Sequence, residues 1–408
     1  MKKLKSTIGL VLFIGVLLSS DLSVMFVLKE YHLPSNWILL LPVFFFVMWT
    51  LVLNFRNYFL KPERFKLVMR LIGLSLLYYI PKLLFLLFFL ISQAGALLSR
   101  LFSSYNIAVL FEGFATTFLV VGLIAATVTA LAILHGIIWG RFLFQTEKKN
   151  IQIDNLPAEF EGLTLLHLSD FHIGCFQGHL KQLQKGIRKC MDLNPDVILF
   201  TGDLTTVYAD EIKPFLPTLK ELKAPCGLFS VLGNHSYGGH DYFKWNEIGS
   251  PEENLEKICQ FHQEIGFTLL KNQAHVIERN GQKLAIIGIE NWGLPPFPQA
   301  GDLDKAMENV HDISTKILLS HDPSFWEQKV MNDYNIPLTL SGHTHAMQLG
   351  VKAGNFAWSP SRMKYRFWSG LYEANEKYLY VNRGFGHVLF PARIGMFPEI
   401  TFIKLTSA

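Results

Sequence analysis

At 408 residues the chain exceeds a typical single domain, so two or more regions are expected. Half of its residues are hydrophobic and only 17% are charged, for a mean hydropathy of +0.26. The formal net charge of +4 is small, and much of the Lys and Arg flanks apolar segments, which argues against a nucleic-acid footprint.

The first third is rich in Leu, Phe and Val and nearly free of acids. Four apolar stretches occupy about 7–28, 37–54, 68–92 and 107–140. Roughly 20 apolar residues cross the hydrocarbon core of a bilayer, so residues 1–145 read as an all-α transmembrane bundle of about four helices. Lys2, Lys3 and Lys5 precede the first stretch as in a signal peptide. No small-residue cleavage site leads into a globular domain there, so a retained helix is expected. Arg56, Lys61, Arg64 and Lys66 lie between the second and third stretches, with Arg70 at the edge. Arg141, Lys148 and Lys149 follow the fourth, whereas the other two loops carry only Lys29 and Arg100. With four spans the basic segments share one side, which places both termini and the following domain in the cytoplasm. Within the third stretch Pro81 is expected to kink the helix and Lys82 to snorkel, with no second charged residue expected deep enough to pair with it. Glu112 and His135 are expected near the interfaces.

Residues 141–150 read as a polar linker into a domain covering 146–408. Leu163–Leu168, Asp196–Phe200, Gly227–Leu232, Lys283–Ile289, Lys316–Leu319, Leu338–Leu340, Tyr378–Val381 and Glu399–Leu405 read as strands. Leu180–Met191 and about 210–222 have helical spacing. This alternation argues for an α/β sandwich. The cysteines Cys175, Cys190, Cys226 and Cys259 form no C-x-x-C pair and read as free thiols. Cys175, three residues after His172, would suit zinc only as a thiolate.

Five short motifs follow strand-like runs: Asp170-Phe-His172, Gly202-Asp203, Gly233-Asn234-His235, Ser320-His321-Asp322 and Gly342-His343-Thr344-His345. They supply two Asp, one Asn and four His as ligands, with one His to spare. That set holds two divalent ions sharing a bridging carboxylate, an arrangement that hydrolyses phosphate esters. Ligands at the carboxyl ends of several strands converge on one rim of a sheet. Asp170 and His172 are two apart and face the same way in an extended segment, as are His343 and His345.

These motifs, in this order over roughly 160–350, resemble the calcineurin-like metallophosphoesterase superfamily. The run Tyr380-Val-Asn-Arg383-Gly-Phe-Gly, then Pro391-Ala-Arg393 and Pro398-Glu399-Ile400, is similar to its membrane-linked branch of YkuE-like and YaeI-like phosphoesterases. The resemblance implies a four-layer α/β/β/α sandwich. It implies that Asp170, His172 and His345 hold one metal, that Asn234, His321 and His343 hold the other, and that Asp203 bridges both. Metal-bound hydroxide would attack phosphorus in line, and His235 would stabilise the developing charge or protonate the leaving oxygen. The mixed ligand set suits two divalent ions, manganese first, with iron or zinc as alternatives. Relatives often carry an acid after G-N-H and Gly-Gly after G-H-T-H, where this chain has Ser236 and Ala346-Met347.

Outside the motifs, His167 sits within the first strand and reads as structural. His179, His262, His275 and His311 read as surface or loop residues, as does His240, which could also touch substrate. Arg383 could clamp a phosphate or form an ion pair. The aromatic and cationic run Phe356–Trp368 reads either as a docking element for an anionic bilayer or as a packed cap over the site. The expected activity is hydrolysis of a phosphodiester or pyrophosphate bond, on a lipid-linked substrate in the sharper version. The competing reading is a membrane scaffold or sensor with a structural, non-catalytic metal site.

Overall fold

The computed structural model describes residues 2–30, 32–33, 62–102, 105–238, 249–354 and 356–408. Among the described residues the N-terminal region contributes three helices, α1 (Lys2–Glu30), α2 (Pro62–Leu101) and α3 (Tyr105–Ile138). Segments Met69–Leu101 and Tyr105–Phe142 are long and apolar enough to cross a bilayer. The expected stretch at 37–54 lies outside the described residues.

Lys82 does not snorkel. Its ammonium pairs with the buried Asp21 of α1, and the Tyr78 hydroxyl donates to the same Asp21 Oδ1 at 2.9 Å. The pairing was hidden in the sequence because Asp21 and Lys82 are far apart in the chain. An isolated charge on an apolar helix needs such a partner.

The described residues form two compact units, one of α1 with most of α2 and α3, the other including Ile138–Ala408. In the second unit the strands are β1 (Gln145–Ile153), β2 (Thr164–Leu168), β3 (Val197–Phe200), β4 (Leu228–Ser230), β5 (Thr268–Leu269), β6 (Gln273–Arg279), β7 (Gln282–Gly288), β8 (Thr315–Leu319), β9 (Leu338–Ser341), β10 (Val351–Ala353), β11 (Phe356–Trp358), β12 (Gly370–Ala374), β13 (Lys377–Val381) and β14 (Glu399–Ser407). One six-stranded sheet runs β1-β14-β2-β3-β4-β5 and the other β12-β13-β9-β8-β7-β6. The middle strands β2, β3 and β4 are parallel, as are β7, β8, β9 and β13. Parallel strands covered on both faces are apolar throughout, and all four residues of β3 are buried.

Alternate residues point to opposite faces. Leu165, Val197 and Leu199 share a core with Leu284, Ile286, Ile317 and Leu340 of the second sheet. Leu166, Ile198 and Phe200 pack instead against Leu183 and Ile187 of a helix at Leu180–Met191 and against Ile258 and Phe261 of another at Pro251–Ile265. On the second sheet, Ala285, Ile287 and Leu318 face Leu303, Ala306 and Trp326. The two sheets therefore share one core and carry helices on their other faces.

Three expectations are corrected. Residues 141–150 are not a linker: Phe142 and Phe144 join the core, and Gln145–Ile153 forms β1, paired along its length with β14. As an edge strand β1 buries only Ile151 and Ile153, so its charged exposed positions disguise it. The stretch 210–222 is a series of tight turns with a helix only at Leu216–Leu219, since Pro214 and Pro217 interrupt it. His262 is fully buried, 2.9 Å from Ser230 Oγ, rather than on the surface.

Candidate metal centre

The candidate ligands, and His235 beside them, stand in the turns that follow β2 (Asp170, His172), β3 (Asp203), β4 (Asn234, His235), β8 (His321) and β9 (His343, His345). Their backbone is bent sharply. Asp170, His172, Asp203, His343 and His345 have φ values of 52°, 41°, 57°, 68° and 51°. Each such left-handed residue costs about 1–3 kcal/mol, and such strain gathers at functional sites. Hydrogen bonds between the turns hold it: Asp170 N–H to the Gly202 carbonyl (2.9 Å), His172 N–H to Asp203 (3.0 Å) and Gly342 N–H to His321 (2.9 Å). Two glycines make room. A Cβ on Gly233 would overlap Asp203 Oδ1, and one on Gly342 would overlap Ser169 Oγ and Asp170 Oδ2.

The geometry brings every ligand expected from the motifs to one place. His172 Nε2 and His345 Nε2 lie 3.0 Å apart, and His345 Nε2 is 3.2 Å from Asp170 Oδ1. Asp203 Oδ2 is 3.6 Å from His172 Nε2 and 3.1 Å from His321 Nε2, so it stands between the two halves. Asn234 Oδ1 is 3.1 Å from His321 Nε2, and His343 completes a cluster with Asp203 and His321. Asp170, His172 and His345 form a second cluster able to hold an ion. The residues fit divalent cations. Imidazole nitrogens and carboxylate oxygens face one another at the centre, and buried Asp170 Oδ1 lacks a hydrogen-bond donor.

Burial opposes ionisation of Asp170 and Asp203. Even so, His345 and His172 hold Asp170 well below the usual carboxylate range, and His321 and His235 do the same for Asp203. Burial lowers His172 and His343 to about 4, leaving neutral imidazoles. Burial acts the same way on His321, but the Asp203 carboxylate overrides it and pushes it up to about 9. Ionised carboxylates beside neutral imidazoles are the states that ligate metal, and the His321 proton is one that a cation displaces.

His235 is held from both ends. Its backbone N–H donates to Asp203 Oδ1 at 2.9 Å, and its Nδ1 donates to the Thr206 carbonyl at 2.7 Å. That bond puts the ring hydrogen on Nδ1 and leaves Nε2 as the nitrogen able to take up or release a proton. Glu211 braces the same loop by accepting from the N–H groups of Thr206 (2.8 Å) and Val207 (3.0 Å).

Other groups escaped the sequence reading. Buried Arg393 places Nη2 3.0 Å from His345 Nδ1 and donates to the carbonyls of Arg383 (2.7 Å) and Gly384 (3.1 Å). Tyr365 OH lies 2.9 Å from His343 Nε2, and Asp322 Oδ2 3.5 Å from it. Each lies in a run already singled out, Pro391-Ala-Arg393, Phe356–Trp368 and Ser320-His321-Asp322, but nothing in the spacing assigned it these partners.

Arg383 is not available to a phosphate. Its guanidinium is buried against Glu399 Oε2 (2.7 Å) and Glu147 Oε1 (2.8 Å), so the ion-paired role holds. His240 lies outside the described residues. Burial pushes the Cys175 thiol up to about 12, and it belongs to none of the metal-binding clusters. His167 is buried 2.9 Å from Thr201 Oγ1 and is structural. Tyr365 and Trp368 pack with Ala346 and Met396 beside the ligands, so that end of the aromatic run is a cap.

Residues 163–347 match the calcineurin-like phosphoesterase family. A transmembrane protein with metallophosphoesterase domain from Danio rerio is 31% identical over 333 residues, 79% of this chain and 71% of that one. The uncharacterized metallophosphoesterases YkuE and YkoQ of Bacillus subtilis are each 27% identical, over 65% and 62% of this chain and 86% and 87% of their own lengths. Ligand geometry, matched residues and relatives agree: this chain belongs to the calcineurin-like metallophosphoesterase family, whose members are metal-dependent hydrolases.

Proposed function

We propose that the chain is a membrane-anchored phosphoesterase that works with two divalent ions. One observation carries the reading: Asp203 Oδ2 is faced by His172 from one ligand cluster and by His321 from the other. Asp170, His172 and His345 would hold one ion, and Asn234, His321 and His343 the other. Manganese suits this set, with iron or zinc as alternatives. When bound, such a pair supplies Lewis-acid activation of water and neutralises charge on the phosphoryl oxygens. His235, its Nδ1 hydrogen committed to Thr206, offers Nε2 to carry the proton for the leaving oxygen. The fold reading that goes with this is a four-layer α/β/β/α domain at 146–408 behind a bundle of about four helices at 1–145.

The substrate is a phosphodiester or pyrophosphate in a lipid-linked molecule, because confinement to the bilayer raises its effective concentration. Nucleic acid is not expected. The apolar helices and a relative named as a transmembrane protein support the anchor. The basic flanks support a cytoplasmic catalytic domain.

The test uses the full chain purified in detergent with manganese. Bis(p-nitrophenyl) phosphate, p-nitrophenyl phosphate and a polyprenyl pyrophosphate are offered, and bound metal is counted by mass spectrometry. Two ions per chain and turnover that Asp203→Ala abolishes are expected. Two bound ions with no hydrolysis of any of the three would sink the catalytic reading and favour a structural metal site.

A further inference from the structure

Neither strand of the β10–β11 hairpin buries a residue. Its register pairs Val351 with Trp358, Lys352 with Ala357 and Ala353 with Phe356. Directly opposed residues share a face, and successive residues switch faces. One face is therefore Val351, Ala353, Phe356 and Trp358, wholly apolar, and the other is Lys352 and Ala357. Val351, Phe356 and Trp358 are 56%, 61% and 41% exposed. A lone two-stranded hairpin is marginal in water, and an apolar face of this kind marks an interaction surface.

Two further observations select the occupant. Residues 350–368 contain Lys352, Arg362, Lys364 and Arg366 and no acid, which complements an anionic surface. Glu147 already pairs with Lys352 and Glu327 with Arg366, while Arg362 and Lys364 are exposed. A groove of about 710 Å³ runs beside the hairpin, lined by Phe144, Gln145, Glu147, Lys189, Val351 and Lys352. Phe144 follows the end of α3 at Ile138 by only six residues, about 20 Å even when fully extended. The hairpin thus shares a groove with the segment by which the domain would be tethered.

We propose that β10–β11 is a bilayer-docking finger. Val351, Phe356 and Trp358 enter the headgroup region of an anionic leaflet, and the neighbouring cations meet lipid phosphates. This rests on the membrane-anchored reading above and deepens it. Val351 lies six residues beyond the ligand His345, and the intervening Met347 and Leu349 are exposed apolar side chains. Docking would bring the metal centre to the lipid surface, where a lipid-linked phosphoester presents its headgroup.

The experiment uses the full chain in nanodiscs of phosphatidylcholine and phosphatidylglycerol. Spin labels are placed singly through Phe356→Cys, Trp358→Cys, Lys352→Cys and Ala357→Cys, in a background of Cys226→Ser and Cys259→Ser. Expected is preferential collision with oxygen at 356 and 358 and with a water-soluble nickel chelate at 352 and 357. Removing phosphatidylglycerol should weaken the contrast. Water exposure at all four positions in incorporated protein would overturn the finger while leaving the anchor intact. Spin–spin broadening between singly labelled chains would mean that a second copy covers the face, and would overturn it too. A chain that never enters nanodiscs would remove the anchor and the finger together.

Discussion

Both units bury ionisable groups, but they arrange them in opposite ways. Among the helices, one acid, Asp21, meets one cation and one hydroxyl, both at Oδ1, while its Oδ2 has no donor. In the domain, Asp170, Asp203 and four imidazoles turn their ligating atoms toward one another, on backbone strained at five positions. A single acid beside a single cation is balanced in charge and needs no metal. A convergence of carboxylate oxygens and imidazole nitrogens is an incomplete coordination shell. Burial of charge therefore does not mark a site; convergence of several ligating atoms on one point does.

Asp203→Ala tests that contrast hardest. Its carboxylate serves both clusters, so bound metal and turnover should fall together to background. Retention of both ions would mean that the two halves are independent. His235→Ala comes next, with kcat falling about 10²–10⁴-fold, the range of a positioned acid–base group, while bound metal stays unchanged. Loss of metal in that variant would make His235 a ligand.

Asp21→Ala should leave turnover per folded molecule unchanged but destabilise the helical unit by about 3 kcal/mol, because Lys82 is left buried without its partner. Adding Lys82→Met should recover part of that loss. Altered kcat would join the helical cluster to catalysis and break the contrast.

The smallest effect concerns buried histidines that belong to neither set. Burial lowers His167 and His262 to about 3, below the unfolded value near 6.5. The unfolded chain takes up protons that the folded one refuses. The stability they contribute is complete above about pH 6.5 and is lost as pH falls toward 3, by up to about 1.4 kcal/mol per unit for each residue. Denaturation midpoints between pH 7 and 5 should fall less in His262→Phe than in the unaltered chain, and identical slopes would contradict this.

The sequence made the metal centre legible because its ligands are local. Each motif holds its ligand two to four residues beyond an apolar strand, so spacing alone aims Asp170, Asp203, Asn234, His321 and His343 at one rim. Strands covered on both faces, such as β3 and β8, were equally legible as unbroken apolar runs. What escaped depends on distant partners. β1 reads as polar because one side of it faces water and its pairing partner is β14. Arg393 meets His345 across 48 residues, and Lys82 meets Asp21 across 61. The aromatic run at 356–368 offered two readings as a single segment, but the fold divides it, with Tyr365 and Trp368 packed and Phe356 and Trp358 exposed.

The strand order has a consequence for synthesis. β14 lies between β1 and β2, antiparallel to β2 and parallel to β1. The first strand of the domain to leave the ribosome therefore has no neighbour until the final one arrives. At roughly 5–20 residues per second, β1 waits on the order of tens of seconds beside helices that have already emerged. A nascent chain stalled before Glu399 would hold its five turns of ligands without the strand that joins β1 to β2.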